Sequence, residues 1–200
     1  MRKGDARPLQ APGSFSKYND VRINQLSLAL RHLFRRPLPE VFREAIARPC
    51  GASNDWCWEG YENSWVLIDG QRMQSVPGGT HWGGGLAIGS ADQALIGQRM
   101  LDQGRVGSQR LMSKEWVRRM QTPCAIAPWY GKLTWLNHLR GVFPSASATS
   151  TFCIGVGASL VWTDPERRLV AVVRWIDGTR IDGFCERVVQ AISTSSPAAD

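Results

Sequence analysis

Apolar positions in the first fifty residues recur at helical spacing. Ile23, Leu26, Leu30, Leu33 and Phe34 share one face of a 3.6-residue period, Asp20 stands where an N-cap belongs, and Pro37 stops the run. A shorter helix is predicted over 39–48, ended by Pro49 with Gly51 close behind. After an aromatic loop, Trp56 to Tyr61, residues 64–76 alternate about Asp69-Gly70, a dipeptide that supplies the positive backbone angles of a tight hairpin. A glycine cluster over 77–85 follows. Ser90, with Gln93 three residues later, has capping-box spacing and opens a helix predicted to run to Gly104. Another begins at Ser113, carries Trp116, Val117 and Met120, and closes before Pro123.

The last third changes character. Residues 151–163 and 168–176 are apolar, β-rich runs joined by Asp164-Pro165-Glu166-Arg167, which predicts one long hairpin. A closing helix is expected over 183–192. Helices, a strong hairpin and a final helix make an α+β fold, an antiparallel sheet flanked by helices. One domain unit is expected over 12–192, between a flexible lead-in (1–11) and a frayed tail (193–200). Two long apolar strands need sheet neighbours, and the sequence offers few other strands.

Composition narrows the class. With 200 residues and 43% hydrophobic positions the chain can bury a sizeable core, which excludes a disordered chain, a collagen or a small disulfide scaffold. The net charge of +7 raises the question of nucleic acid, but its distribution answers it differently. Ten Lys/Arg face four Asp/Glu in residues 1–50, and fourteen face thirteen afterwards. The excess lies in Arg2, Lys3 and Arg7 and around Arg31, Arg35 and Arg36 and reads as a solvated helix face, so no nucleic-acid partner is expected. No apolar run reaches the roughly 20 residues of a membrane span, and MRKGDARPLQAPGS has no apolar stretch to make a secretory signal. The compartment is not legible. Five cysteines form an odd set without C-x-x-C spacing and read as reduced, mostly buried thiols; with three scattered histidines they predict no metal or other cofactor.

Chemistry concentrates near Tyr18-Asn19-Asp20. A tyrosine at a helix entrance can relay protons; the same triplet also reads as a half-buried aromatic followed by a cap. His81, with Asp92 or Asp69 as orienter, could form part of a Ser-His-Asp set, although no G-x-S-x-G elbow accompanies it. The nine tryptophans read as core and loop anchors rather than a sugar-stacking surface, with Trp116, Trp162 and Trp175 on regular elements.

Taken in order, Pro12-Gly13-Ser14-Phe15, Tyr18-Asn19-Asp20-Val21-Arg22-Ile23-Asn24, Gly60-Tyr61-Glu62-Asn63-Ser64-Trp65, His81-Trp82-Gly83-Gly84-Gly85-Leu86, Tyr130 to Asn137, Gly155-Val156-Gly157, Trp162 to Glu166 and Val172 to Trp175 resemble the β-lactamase-related serine hydrolases. That superfamily includes class C β-lactamases, penicillin-binding proteins and 6-aminohexanoate-dimer hydrolase. The likeness extends from about Pro12 to Ile192 and corresponds to the carboxy-terminal half or so of such an enzyme. It implies hydrolysis of a small ester or amide through an acyl-enzyme: a serine in S-x-x-K attacks, and its lysine shares the proton work with a tyrosine. Tyr18 matches that tyrosine. Asp20 takes the position of the motif's asparagine, exchanging an amide for a carboxylate. Cys153 falls where a lysine or histidine lines the cleft, with Gly155 and Gly157 opening the strand for close approach of substrate; simple strand packing explains these glycines as well. In the resemblance His81 packs near the cleft in a structural or substrate-contact role.

Ser14-Phe15-Ser16-Lys17 spells S-x-x-K, but it abuts Tyr18 where the family has a loop, and we read it as coincidence. The nucleophile is then absent from these residues. The expectation is a weakly active or inactive hydrolase portion, the alternative being a degenerate, non-catalytic binding module of the same fold.

Overall fold

The computed structural model describes residues 10–78 and 85–195. Helix α1, Asp20–Phe34, is capped by Asn19, whose side chain accepts the Arg22 N–H at 3.3 Å; Asp20, expected as the cap, is instead its first residue. Both residues suit a cap, but only Asn19 has the extended backbone (φ −149°, ψ 109°) that turns its side chain onto the first helical turn. The helix ends at Arg35 in the left-handed region. The second helix is longer than expected. Short helices α2, Leu38–Phe42, and α3, Arg48–Cys50, are joined by a π turn, Arg43–Ala47. The wider turn, with the Arg48 N–H bonded to the Arg43 carbonyl, accommodates Pro49, and Gly51 at φ 76° provides the stop.

Strand β1, Cys57–Trp58, lies inside the predicted loop and pairs with β4, Leu86–Ala87. Strands β2, Trp65–Ile68, and β3, Gln71–Gln74, form the expected hairpin, with Asp69 at φ 52° and Gly70 at φ 77°. Helix α4, Ser90–Leu101, begins one residue earlier than the capping box requires; Gly89 is its N-cap and no side chain caps it. A small pair, β5 (Arg105–Val106) and β6 (Gln109–Arg110), leads to α5, Lys114–Met120, which starts one residue after the expected Ser113; Ser113 is its N-cap and accepts the Trp116 N–H.

The main sheet has the order β10-β9-β8-β7, all antiparallel. Its strands are β7 (Trp135–Leu136), β8 (Thr151–Ile154), β9 (Leu160–Asp164) and β10 (Leu169–Val173). The run 151–163, expected as one strand, is a hairpin in itself: Gly155 and a 3₁₀ turn, Val156–Ala158, reverse the chain between β8 and β9. The turn between β9 and β10 is as predicted. Helix α6, Ile181–Ser195, covers one face, where Ile181 and Cys185 bury with Phe152, Leu160, Trp162 and Ala146. Helix α4 packs on the other face through Gly97, whose missing Cβ would lie 2.9 Å from methyls of both Val161 and Val170. The architecture is α+β.

Polar groups fix the start of β8. Asp164, fully buried, accepts the Ser147 hydroxyl at 2.8 Å and the Arg167 guanidinium at 2.9 Å. The Trp162 indole N–H donates to Ser150 at 2.9 Å. Asn137, also fully buried, donates to the carbonyls of Phe143, Ala146 and Ser147 at 2.9–3.2 Å and accepts the N–H groups of Val142 and Phe143. One amide thereby sets the path of residues 138–147.

Three expectations about single residue types change. Only Cys50 and Cys185 are buried; Cys57, Cys124 and Cys153 reach the surface, and all five are free thiols. Trp162 is a core residue, but Trp116 is exposed and Trp175, beyond the end of β10, is 73% exposed. Among the described residues, the three cations at the end of α1 do not form an open patch. Arg31 is buried, Arg35 pairs with Asp69, and Arg36 pairs with Glu44 and Glu40.

Candidate active site

Tyr18 lies on extended chain just before α1, and its ring reaches the far edge of the main sheet. It stacks on Trp135 with centroids 5.9 Å apart and rings 26° from parallel, and meets Tyr130 edge-on at 6.3 Å. Tyr130 meets Trp135 edge-on at 5.2 Å. The last two are brought together by the chain's own return: Tyr130 bridges Trp135, and the Leu136 N–H donates to the Trp129 carbonyl at 2.9 Å. Trp135 in turn pairs with Phe152, the neighbour of Cys153 on β8. A residue before the first helix and a strand more than a hundred positions later are thus joined through two aromatic rings.

The electrostatics agree with that placement. Burial pushes the Tyr130 phenol up to about 12, and the negative forms of Tyr18 and Cys153 add to the shift. Cys153 keeps an exposed surface, yet the protein atoms crowded around its sulfur raise the thiol above its ordinary value. Tyr18 is 59% exposed and therefore open to a solute. Tyr130 and Trp135 were not singled out from sequence as site residues. Their signal was available as two aromatics flanking the Gly131–Thr134 turn.

The remaining expected residues fall as follows. Asp20 stands in the first turn of α1, where the helix dipole favours a carboxylate. Gly155 has ordinary extended angles (φ −112°, ψ −177°) and open space where a Cβ would be, its nearest contacts being Ser159 atoms at 3.8–3.9 Å. Gly157 sits at φ 70°, and a Cβ there would lie 2.2 Å from the Trp175 ring; the close approach it permits is that of Trp175. His81 lies outside the described residues. Both carboxylates considered as its orienter are engaged elsewhere: Asp69 with Arg35, and buried Asp92 with the Ser53 N–H and hydroxyl at 2.9 and 2.7 Å. Ser14 and Lys17 are on non-helical chain, with the Ser14 hydroxyl donating to the Ala11 carbonyl at 2.7 Å, so this S-x-x-K does not have its two side chains one helical turn apart. Among the described residues no three His, Cys, Asp or Glu side chains gather as a metal site, and no helix is long and apolar enough to cross a membrane.

The fold is β-lactamase-like. The chain aligns with a Bacillus anthracis protein provisionally assigned as a 6-aminohexanoate-dimer hydrolase, with TM-score 0.61 and 16% identity over 94% of this chain and 46% of that one. It aligns equally with a Bacteroides dorei protein provisionally assigned as a β-lactamase, with TM-score 0.64 and 15% identity over 94% and 61%. The chain therefore spans less than two thirds of either neighbour. No protein-family model and no curated protein matches the sequence.

Proposed function

We propose that the chain is the proton-relay and substrate-side portion of a serine hydrolase that cleaves a small ester or amide through an acyl-enzyme. Tyr18 takes the relay role, passing the proton between the serine hydroxyl and the leaving group. In this reading Asp20, Cys153 and Gly155 line the substrate cleft. The observation that carries this reading is the stacking of Tyr18 on Trp135, which brings the tyrosine from a distant part of the chain to β7, the strand paired with the one that bears Cys153.

The nucleophile in this reading is not Ser14, and the 200 residues on their own hydrolyse esters weakly or not at all. A cysteine in place of a cation or imidazole on β8 leaves simple ester or amide cleavage less affected than β-lactam hydrolysis. Two measurements test the proposal. Intact mass of the native protein is expected above 22.2 kDa, with an in-frame S-x-x-K; in that form Tyr18→Phe should lower kcat for p-nitrophenyl ester hydrolysis by 10²-fold or more, the scale of a lost acid–base group. A fluorophosphonate adduct on Ser14, or full activity in Tyr18→Phe, would overturn it.

A further inference from the structure

Among the described residues Leu139 is the most exposed of the large apolar side chains, at 83%, and it also holds a left-handed backbone (φ 53°, ψ 25°). Arg140 beside it has φ 56°. Two consecutive non-glycine residues in that region persist only where surrounding structure over-determines them, and such strain gathers at functional positions. Here the determinant is the buried Asn137 amide, which bonds to the backbone of Val142, Phe143, Ala146 and Ser147 and closes the loop around the strained pair. The chain spends backbone strain to hold a leucine in water.

Leu139 stands at the wall of a cavity of about 470 Å³ shared with Pro128, Trp129, Trp135 and Val142; among its lining residues only His138 is ionisable. That volume lies in the range of small-molecule sites, and the lining suits an uncharged apolar group. Trp129 is itself half-exposed at this wall. Trp135 belongs both to this cavity and to the stack with Tyr18, so the cavity is separated from the proposed relay group by a single indole.

We propose that this cavity binds the apolar chain of the ester or amide substrate, an inference that rests on the hydrolase reading of Tyr18. Alkyl or aryl acyl groups enter between Trp129 and Leu139 while the carbonyl end remains on the Tyr18 side of Trp135. The strained 139–140 turn keeps Leu139 presented before substrate arrives, so the cost of ordering that wall is met in folding and not in binding.

The test is a titration of the full chain with hexanamide, octanamide and decanamide, read by intrinsic tryptophan fluorescence. Affinity should rise about fourfold for each added methylene, the value of burying one CH₂ group. Leu139→Gly, which relieves the positive φ and removes the side chain, should melt no lower than the parent while losing most of that dependence; Trp129→Ala should also weaken the decanamide complex. A flat chain-length series, or unchanged affinity in Leu139→Gly, overturns the proposal. So does Leu139-dependent self-association by light scattering without amide binding, which would make this wall a contact between copies. The two readings fail separately. A Tyr18→Phe variant that keeps both hydrolysis and the chain-length series refutes the relay alone, whereas Tyr18-dependent hydrolysis with a flat series refutes the cavity alone.

Discussion

Helix α1 and the β8–β9 hairpin both bury polar groups, but in opposite condition. Around the hairpin, Asn137, Ser147, Ser150 and Asp164 are each hydrogen-bonded, and the apolar core of Phe152, Leu160 and Trp162 closes over them. Helix α1 buries Ser27 and Arg31, while Leu26, Leu33 and Phe34 face outward. Among the described residues the Arg31 guanidinium makes one long contact, 3.5 Å to the Met73 carbonyl, and its Nε and Nη2 have no partner. Buried polarity specifies a structure when it is paired and costs stability when it is not. The two regions should therefore respond to loss of a polar side chain with opposite signs.

The larger effect of the two regions belongs to Asn137. Asn137→Ala removes an amide that satisfies five backbone groups and leaves several of them buried without partners. A loss on the order of 3–4 kcal/mol is expected, with a lower urea midpoint and an unchanged slope. A loss below about 1 kcal/mol would mean that water replaces the amide easily and that the 138–147 loop is not held by it. The same variant should blunt amide binding at the neighbouring cavity, because Leu139 would no longer be held in its strained position.

Arg31 should behave in the other sense. Burial lowers the pKa of its guanidinium, the direction expected for a cation removed from water without a carboxylate nearby to offset the loss. Arg31→Met keeps the aliphatic volume and discards the uncompensated charge, and a gain of about 1 kcal/mol is expected. Arg31→Ala should not show that gain, since the cavity it leaves costs as much as the lost charge returns. Chemical denaturation of the two variants side by side checks the sign. If Arg31→Met is as destabilising as Asn137→Ala, the guanidinium is paired in solution and the contrast between the regions disappears.

The contrast also marks how far the sequence could be read. Punctuation by chemistry was legible: Asp69-Gly70 turns the first hairpin, Ser113 marks the start of α5, and Asp164 to Arg167 turns β9 into β10. The turn inside 151–163 was not, because Val156 and Ala158 carry it with apolar side chains and only the left-handed Gly157 betrays the reversal. The Asn137 hub was invisible for a related reason. All its partners are main-chain groups five to ten residues away, which leave no side-chain pattern. At the candidate site, Tyr18 was found through resemblance, but its companions Tyr130 and Trp135 required knowing that β7 lies at the sheet edge where Tyr18 arrives. Periodicity identified an apolar stripe on α1 correctly and could not tell which side of the helix would be covered.

That last point gives the smallest expected effect. Leu33 falls on the predicted apolar face and is 74% exposed, so Leu33→Ser removes almost no buried surface. Its stability should change by no more than about 0.5 kcal/mol, the ordinary range for a surface substitution. Leu160→Ala, by contrast, empties a fully buried position of β9 and should cost about 2–5 kcal/mol. The pair separates pattern from burial: both leucines obey the periodicity of their elements, and only the one against α6 bears on folding. Should Leu33→Ser prove as costly as a core truncation, the α1 face would be covered in solution, and the outward leucines would have to be counted with the core rather than with the surface.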